Sequence, residues 1–112
     1  KTTQPPEFGV VTVPNEFINV HPSLFDRVRL GIMAHLSLAK KAVDFNTLLS
    51  DLELTRGNLS THMKKLEDDG LVQIDKTFVD RKTRTTYLCT GKGRKEVEVY
   101  LATVEAVLRS SL

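Results

Sequence analysis

The 112-residue sequence has one cysteine and no tryptophan, which excludes a disulfide-stapled scaffold and any Cys-rich zinc module. No apolar run approaches the ~18 residues of a membrane span, and no signal-peptide pattern opens the chain. A reducing, cytoplasmic setting without a membrane partner is therefore expected. The chain opens on Lys1 rather than Met, which leaves a natural start upstream open. All 4 prolines (Pro5, Pro6, Pro14 and Pro22) fall near the start, so proline breaks no element further on. Charge of one sign is also scarce, because 16 Lys+Arg against 14 Asp+Glu leave a net of +2. Catalytic sets are missing as well. No Ser or Cys has a plausible base nearby, no carboxylates pair in a pocket pattern, and Gly91-Lys92-Gly93 is too short for a phosphate loop. His21 and His35 have no ligand partner at metal spacing. Neither an enzyme, a cofactor nor a metal site is expected.

What is present fits a globular chain of one-domain size, with 40% hydrophobic and 27% charged residues. Residues 1–16 read as an N-terminal arm, partly extended, whose stretch Phe8 to Val13 is apolar enough to dock on the rest or on a second subunit. Residues 17–112 read as the folded part. A first long helix is expected from Pro22-Ser23 to Lys40-Lys41, with Leu24, Val28, Ile32 and Leu36 repeating every fourth residue. Ala42-Val43 suits a bridging strand. Asp44 caps a second helix, Phe45 to about Leu52, and Thr55 caps a third, Arg56 to Asp69, that stops at Gly70. Leu59, Met63 and Leu66 form its inward stripe. The period then drops to two: Leu71 to Val79, with Val72, Ile74 and Phe78 in alternation, is a strand, Asp80 to Arg84 a polar turn, and Thr85 to Cys89 the returning arm. Thr90 caps a final helix, about residues 91–110, carrying the seam Val97, Leu101, Val104 and Leu108. That seam suits either the chain's own core or a two-fold contact. The fold class is mainly α with a small β-hairpin (α+β).

Two helices joined by a turn of a few residues form a helix-turn-helix, whose second helix lies in the DNA major groove. The outer face of the third helix has the chemistry for that position. Arg56 can bond guanine, Asn58 can bond adenine, and Ser60, Thr61 and Lys64 can reach bases further along. Thr55, at the positive end of the helix dipole, and Lys65 suit phosphates. A solvated outer face would look similar, and the next element tips the balance. Lys76, Arg81, Lys82 and Arg84 crowd the hairpin against Asp75 and Asp80, a pattern suited to gripping a phosphate backbone or entering a minor groove. Residues 55–95 hold ten Lys/Arg and five Asp/Glu, and the remainder six and nine. The small total conceals a positive region.

The run Leu59-Ser60-Thr61-His62-Met63-Lys64-Lys65-Leu66-Glu67-Asp68-Asp69-Gly70-Leu71-Val72 resembles the recognition helix and first wing strand of the winged helix-turn-helix transcriptional regulators, close to the MarR and ArsR groups. Thr90-Gly91-Lys92-Gly93-Arg94 resembles their helix start after the wing, and Arg29-Leu30-Gly31-Ile32-Met33 their first-helix signature. The resemblance spans roughly residues 17 to 112. It implies a three-helix core with wing and C-terminal helix, and a homodimer held by the first and last helices and the arm. It also implies a roughly palindromic duplex-DNA operator, a regulator acting most simply as a repressor, a recognition helix at about 56–69 and a wing at about 76–86. The Cys-rich motif of metal-sensing ArsR members is absent, and a small-molecule effector is left open. The alternative is a winged helix that meets a protein rather than DNA. His62 is expected to pack half-buried, Cys89 to be an inert buried thiol, and Glu67-Asp68-Asp69 to point away from DNA.

Overall fold

The computed structural model describes residues 15–110, so the apolar stretch Phe8 to Val13 and nearly all of the expected arm lie outside the described residues. Short 3₁₀ turns at Asn15–Asn19 and Pro22–Phe25 precede helix α1, Arg27–Ala39. The helix starts later than Pro22-Ser23. His21 Nδ1 accepts the Ser23 amide (3.1 Å) and closes a tight turn behind Pro22. Asp26 is then extended (φ −93°) and caps α1, its Oδ1 accepting the amides of Val28 (2.9 Å) and Arg29 (3.0 Å). Ile32, Met33 and Leu36 face the core, and Lys40 ends the helix in a left-handed conformation (φ 58°).

Strand β1, Val43–Asp44, leads directly into α2, Phe45–Leu52, and Asp44 Oδ2 accepts the Asn46 amide (2.9 Å) as its cap. Glu53, also left-handed (φ 52°), turns the chain toward α3, Arg56–Asp68. Thr55 Oγ1 accepts the Asn58 amide (3.1 Å) there. At the other end the Gly70 amide reaches the Glu67 carbonyl (2.9 Å) and the Leu71 amide the Leu66 carbonyl (2.9 Å). This paired closure needs the positive φ of Gly70 (78°). Leu59, Met63 and Leu66 are fully buried, as their stripe requires, and each contributes on the order of 1.5–3 kcal/mol by leaving water.

Strands β2, Val72–Val79, and β3, Lys82–Cys89, pair antiparallel from Val72↔Cys89 to Val79↔Lys82, and β1 joins β3's other edge, giving the order β1-β3-β2. The turn is only Asp80-Arg81, both with positive φ (49° and 66°), rather than the expected Asp80 to Arg84. Left-handed geometry at both positions matches the twist of the two arms, so Lys82 and Arg84 belong to the strand. Val72, Ile74 and Phe78 do share a face. Burial fades along it, and Phe78 projects 72% exposed.

Helix α4, Gly91–Ser110, packs on α1 and β3 near its start. Gly93 makes this possible, because a Cβ there would lie 2.2 Å from the Leu71 carbonyl oxygen and 2.9 Å from the Met33 methyl. Of the seam Val97, Leu101, Val104 and Leu108, only Val97 is buried, and Leu101 is 58% exposed. Among the described residues no helix is long and apolar enough to cross a membrane.

Candidate nucleic-acid interface

The burial of Leu59, Met63 and Leu66 turns the opposite side of α3 outward. Thr55, Arg56, Asn58, Ser60, Thr61, Lys64 and Lys65 are all exposed on this helix or at its cap. The hairpin rises beside it and carries Lys76, Arg81, Lys82 and Arg84, also exposed. A trough of about 890 Å³ runs between the two, bordered by Arg56, Ser60 and Lys64 on the helix and by Lys76, Thr83 and Arg84 on the wing. Every residue singled out for nucleic-acid contact thus lies on the outer side of α3 or on the wing.

The cations of this surface are not in equal states. Lys64 pairs with Asp68 (3.0 Å) and Glu67 (3.8 Å), and Lys65 with Asp69 (3.5 Å). The Asp68 carboxylate raises the Lys64 pKa above its ordinary value. Arg84 Nε donates to Asp44 Oδ1 (3.2 Å), so the carboxylate that caps α2 also ties β3. Arg56 lies over the Phe45 ring (5.4 Å) and donates to Asn46 Oδ1 (3.3 Å). Lys76, Arg81 and Lys82 have no ion-pair partner among the described residues. Asp44, Phe45 and Asn46 were not legible as part of this surface, because their partners come from α3 and β3.

A second polar group holds α3 in place from behind. Ser23 Oγ, itself buried, donates to Asp69 Oδ2. That bond, more than any other influence, holds the Asp69 carboxyl below the usual carboxylate range. Arg29 donates to the Ser23 carbonyl (3.0 Å) and to His62 Nδ1 (3.1 Å), so the half-buried His62 serves to link α1 and α3. Asp26 is likewise held below its ordinary pKa, chiefly by the Arg29 amide. From the start of α4, Lys92 Nζ reaches the Asp69 carbonyl at the end of α3 (2.9 Å), and Thr90 Oγ1 donates to the Gly70 carbonyl (2.7 Å). Burial pushes the Cys89 thiol above its ordinary pKa, which keeps it protonated and unreactive. Among the described residues no group of three or more His, Cys, Asp and Glu side chains could hold a metal.

A short helical pair, a capped second helix with an outward polar face and a flanking two-stranded hairpin agree with what sequence comparison finds. The profile of the winged helix DNA-binding domain matches residues 28–108. The chain belongs to the winged helix DNA-binding domain family. An uncharacterized protein of Methanocaldococcus jannaschii is 38% identical over 74 residues, covering 66% of this chain and 79% of that protein. The structure of a transcriptional regulator homologue from Pyrococcus horikoshii superposes with a TM-score of 0.77 at 33% identity, covering 87% of this chain and 97% of that one. The MepR–DNA complex of Staphylococcus aureus superposes with a TM-score of 0.65 at 17% identity, over 86% of this chain and 73% of that one, a likeness of fold. In winged-helix terms α2 and α3 are the helix-turn-helix, β2 and β3 the wing, and α4 the helix that follows it.

Proposed function

We propose that the protein is a transcriptional regulator that binds duplex DNA sequence-specifically as a homodimer, most simply as a repressor. The observation that carries this reading is the alignment of α3's exposed polar face with a wing whose Lys76, Arg81 and Lys82 have no ion-pair partner among the described residues, across one open trough. The recognition helix enters the major groove, where Arg56, Asn58, Ser60, Thr61 and Lys64 meet base edges. Thr55, Lys65, Lys76, Arg81, Lys82 and Arg84 hold the backbone. For Arg56 to reach a guanine it leaves Asn46 and keeps or breaks its stacking on Phe45. The MepR–DNA complex supports this reading through its shared fold. The exposed Leu101 and Ile18, on α4 and on the turn packed beside it, suit a two-fold contact between copies. On this reading the protein acts in the cytoplasm and performs no catalysis of its own.

Selection of bound fragments from a random duplex pool tests the proposal. Retained fragments are expected to converge on a roughly two-fold site with half-sites about 34 Å apart, and Arg56→Ala is expected to relax one base position of that site. Failure to retain any duplex at low salt would remove the DNA reading and favour a winged helix that meets a protein.

A further inference from the structure

The most exposed aromatic of the wing is Phe78. Phe78 is 72% exposed, four residues beyond Ile74, the last half-buried residue of β2. At about 3.3 Å per residue this sets its ring roughly 13 Å past the core. It pairs across the hairpin with Thr83, on the face that also carries Lys76. Lys76 and Thr83 line the trough opposite α3, so Phe78 extends the wall that faces the proposed DNA. The tip itself is cationic, with Arg81 and Lys82 directly after Asp80 and neither paired among the described residues.

We propose that Phe78 is an apolar DNA contact, its ring lying against deoxyribose and base edges in the minor groove while Arg81 and Lys82 hold the phosphates on either side. The proposal rests on the duplex-binding reading above. Phosphate gripping alone gains nothing from a phenyl ring, which is unfavourable in water. A minor groove offers the ring an apolar wall of sugars and lets it act as a wedge at a base step. The same groove attracts Arg through its negative potential. With α3 in the major groove, a reach of this length crosses one phosphate strand into the adjoining minor groove. The charge around the ring thus selects nucleic acid as its occupant over an apolar protein surface.

The sequence contains no tryptophan, so Phe78→Trp provides a single fluorescent reporter at the tip. Labelled-duplex anisotropy measures binding independently. On saturation with selected duplex, the emission of this variant is expected to shift and to become shielded from acrylamide. Phe78→Ala is expected to weaken binding about tenfold, as loss of a partly buried ring does. The slope of log K against log salt stays unchanged, because no charge is removed. If the parent protein retains no duplex, the DNA reading itself fails. If the parent binds but the emission does not move, or Phe78→Ala binds as tightly as the parent, the role of Phe78 is overturned and the DNA reading stands. An emission shift that follows protein concentration without DNA would show a second copy covering the ring, and would overturn the proposal equally.

Discussion

Helix α3 and the wing stand side by side yet are built on opposite plans. The helix is fastened at its start by Thr55, at its end by the Gly70 closure, and behind by Ser23 on Asp69 and Arg29 on His62. Its end is further bound to the start of α4 through Thr90 and Lys92. Its lysines are paired with carboxylates one turn on. The wing is fastened through β3, by β1 nearer its base and by the Arg84–Asp44 pair further out. Its other cations, Lys76, Arg81 and Lys82, have no ion-pair partner among the described residues. On the proposed function, the difference divides the two physical requirements of duplex recognition. Hydrogen bonding to base edges demands a fixed helix, whereas counterion release demands charge that is not already neutralised.

The strongest way to break this comparison is to disturb the join between the end of α3 and the start of α4. In Gly93→Ala the new methyl meets the Leu71 carbonyl, a backbone atom that cannot swing aside. The start of α4 must move, and with it the Thr90 and Lys92 bonds to the end of α3. The expected loss is about 3 kcal/mol of stability, a fall in Tm of roughly 10–20 °C by thermal melting. An unchanged Tm would mean that α4 does not fix the helix.

Much of the fastened region was legible in the sequence because its signals are local. Asp44, Thr55 and Gly70 sit where caps belong, and the stripe of Leu59, Met63 and Leu66 leaves no other face for the core. Local signals can also compete. Pro22-Ser23 read as the start of the first helix, but the Pro22 turn closes on His21 and α1 begins only after Asp26. The wing was less legible for a related reason. Asp80-Arg81 lacks the glycine that announces a two-residue turn, so the polar run to Arg84 read as loop. Phe78 keeps the strand's alternation, but alternation cannot tell where the core beneath a strand ends. The pairings of Arg84 with Asp44 and of Arg56 with Asn46 and Phe45 depend on the tertiary fold, and no spacing reveals them.

The electrostatic half of the comparison is sharpened by salt titration. Each cation that neutralises a phosphate contributes about 0.9 to the slope of log K against log salt. Arg81→Ala and Lys82→Ala are each expected to lower that slope by about one and to weaken binding several-fold at moderate salt. Lys64→Ala is expected to change it far less, since Asp68 and Glu67 already offset that charge. Equal reductions from the helix and the wing would erase the distinction between paired and unpaired cations.

The smallest expected effect concerns the carboxylate that fastens the back of the helix. The Ser23 hydroxyl holds the Asp69 carboxyl below the usual carboxylate range. A depressed folded-state pKa contributes stability that is fully present above the unfolded value, near 4, and is lost as pH falls through the lower folded value. Asp69→Asn removes the charge but keeps an acceptor, so it is expected to lower stability by about 1 kcal/mol at pH 7. At pH 3, below the unfolded value, part of that contribution is already lost, and the gap between the two proteins narrows. Asp26 shares the same direction of shift, so the parent's own stability still declines in acid after the substitution, though less steeply. Urea melts of both proteins at pH 7, 5 and 3 measure this. A gap that stays constant across the three would show that Asp69 holds the helix through shape and not through charge, leaving Lys92 and Thr90 as its principal fastenings.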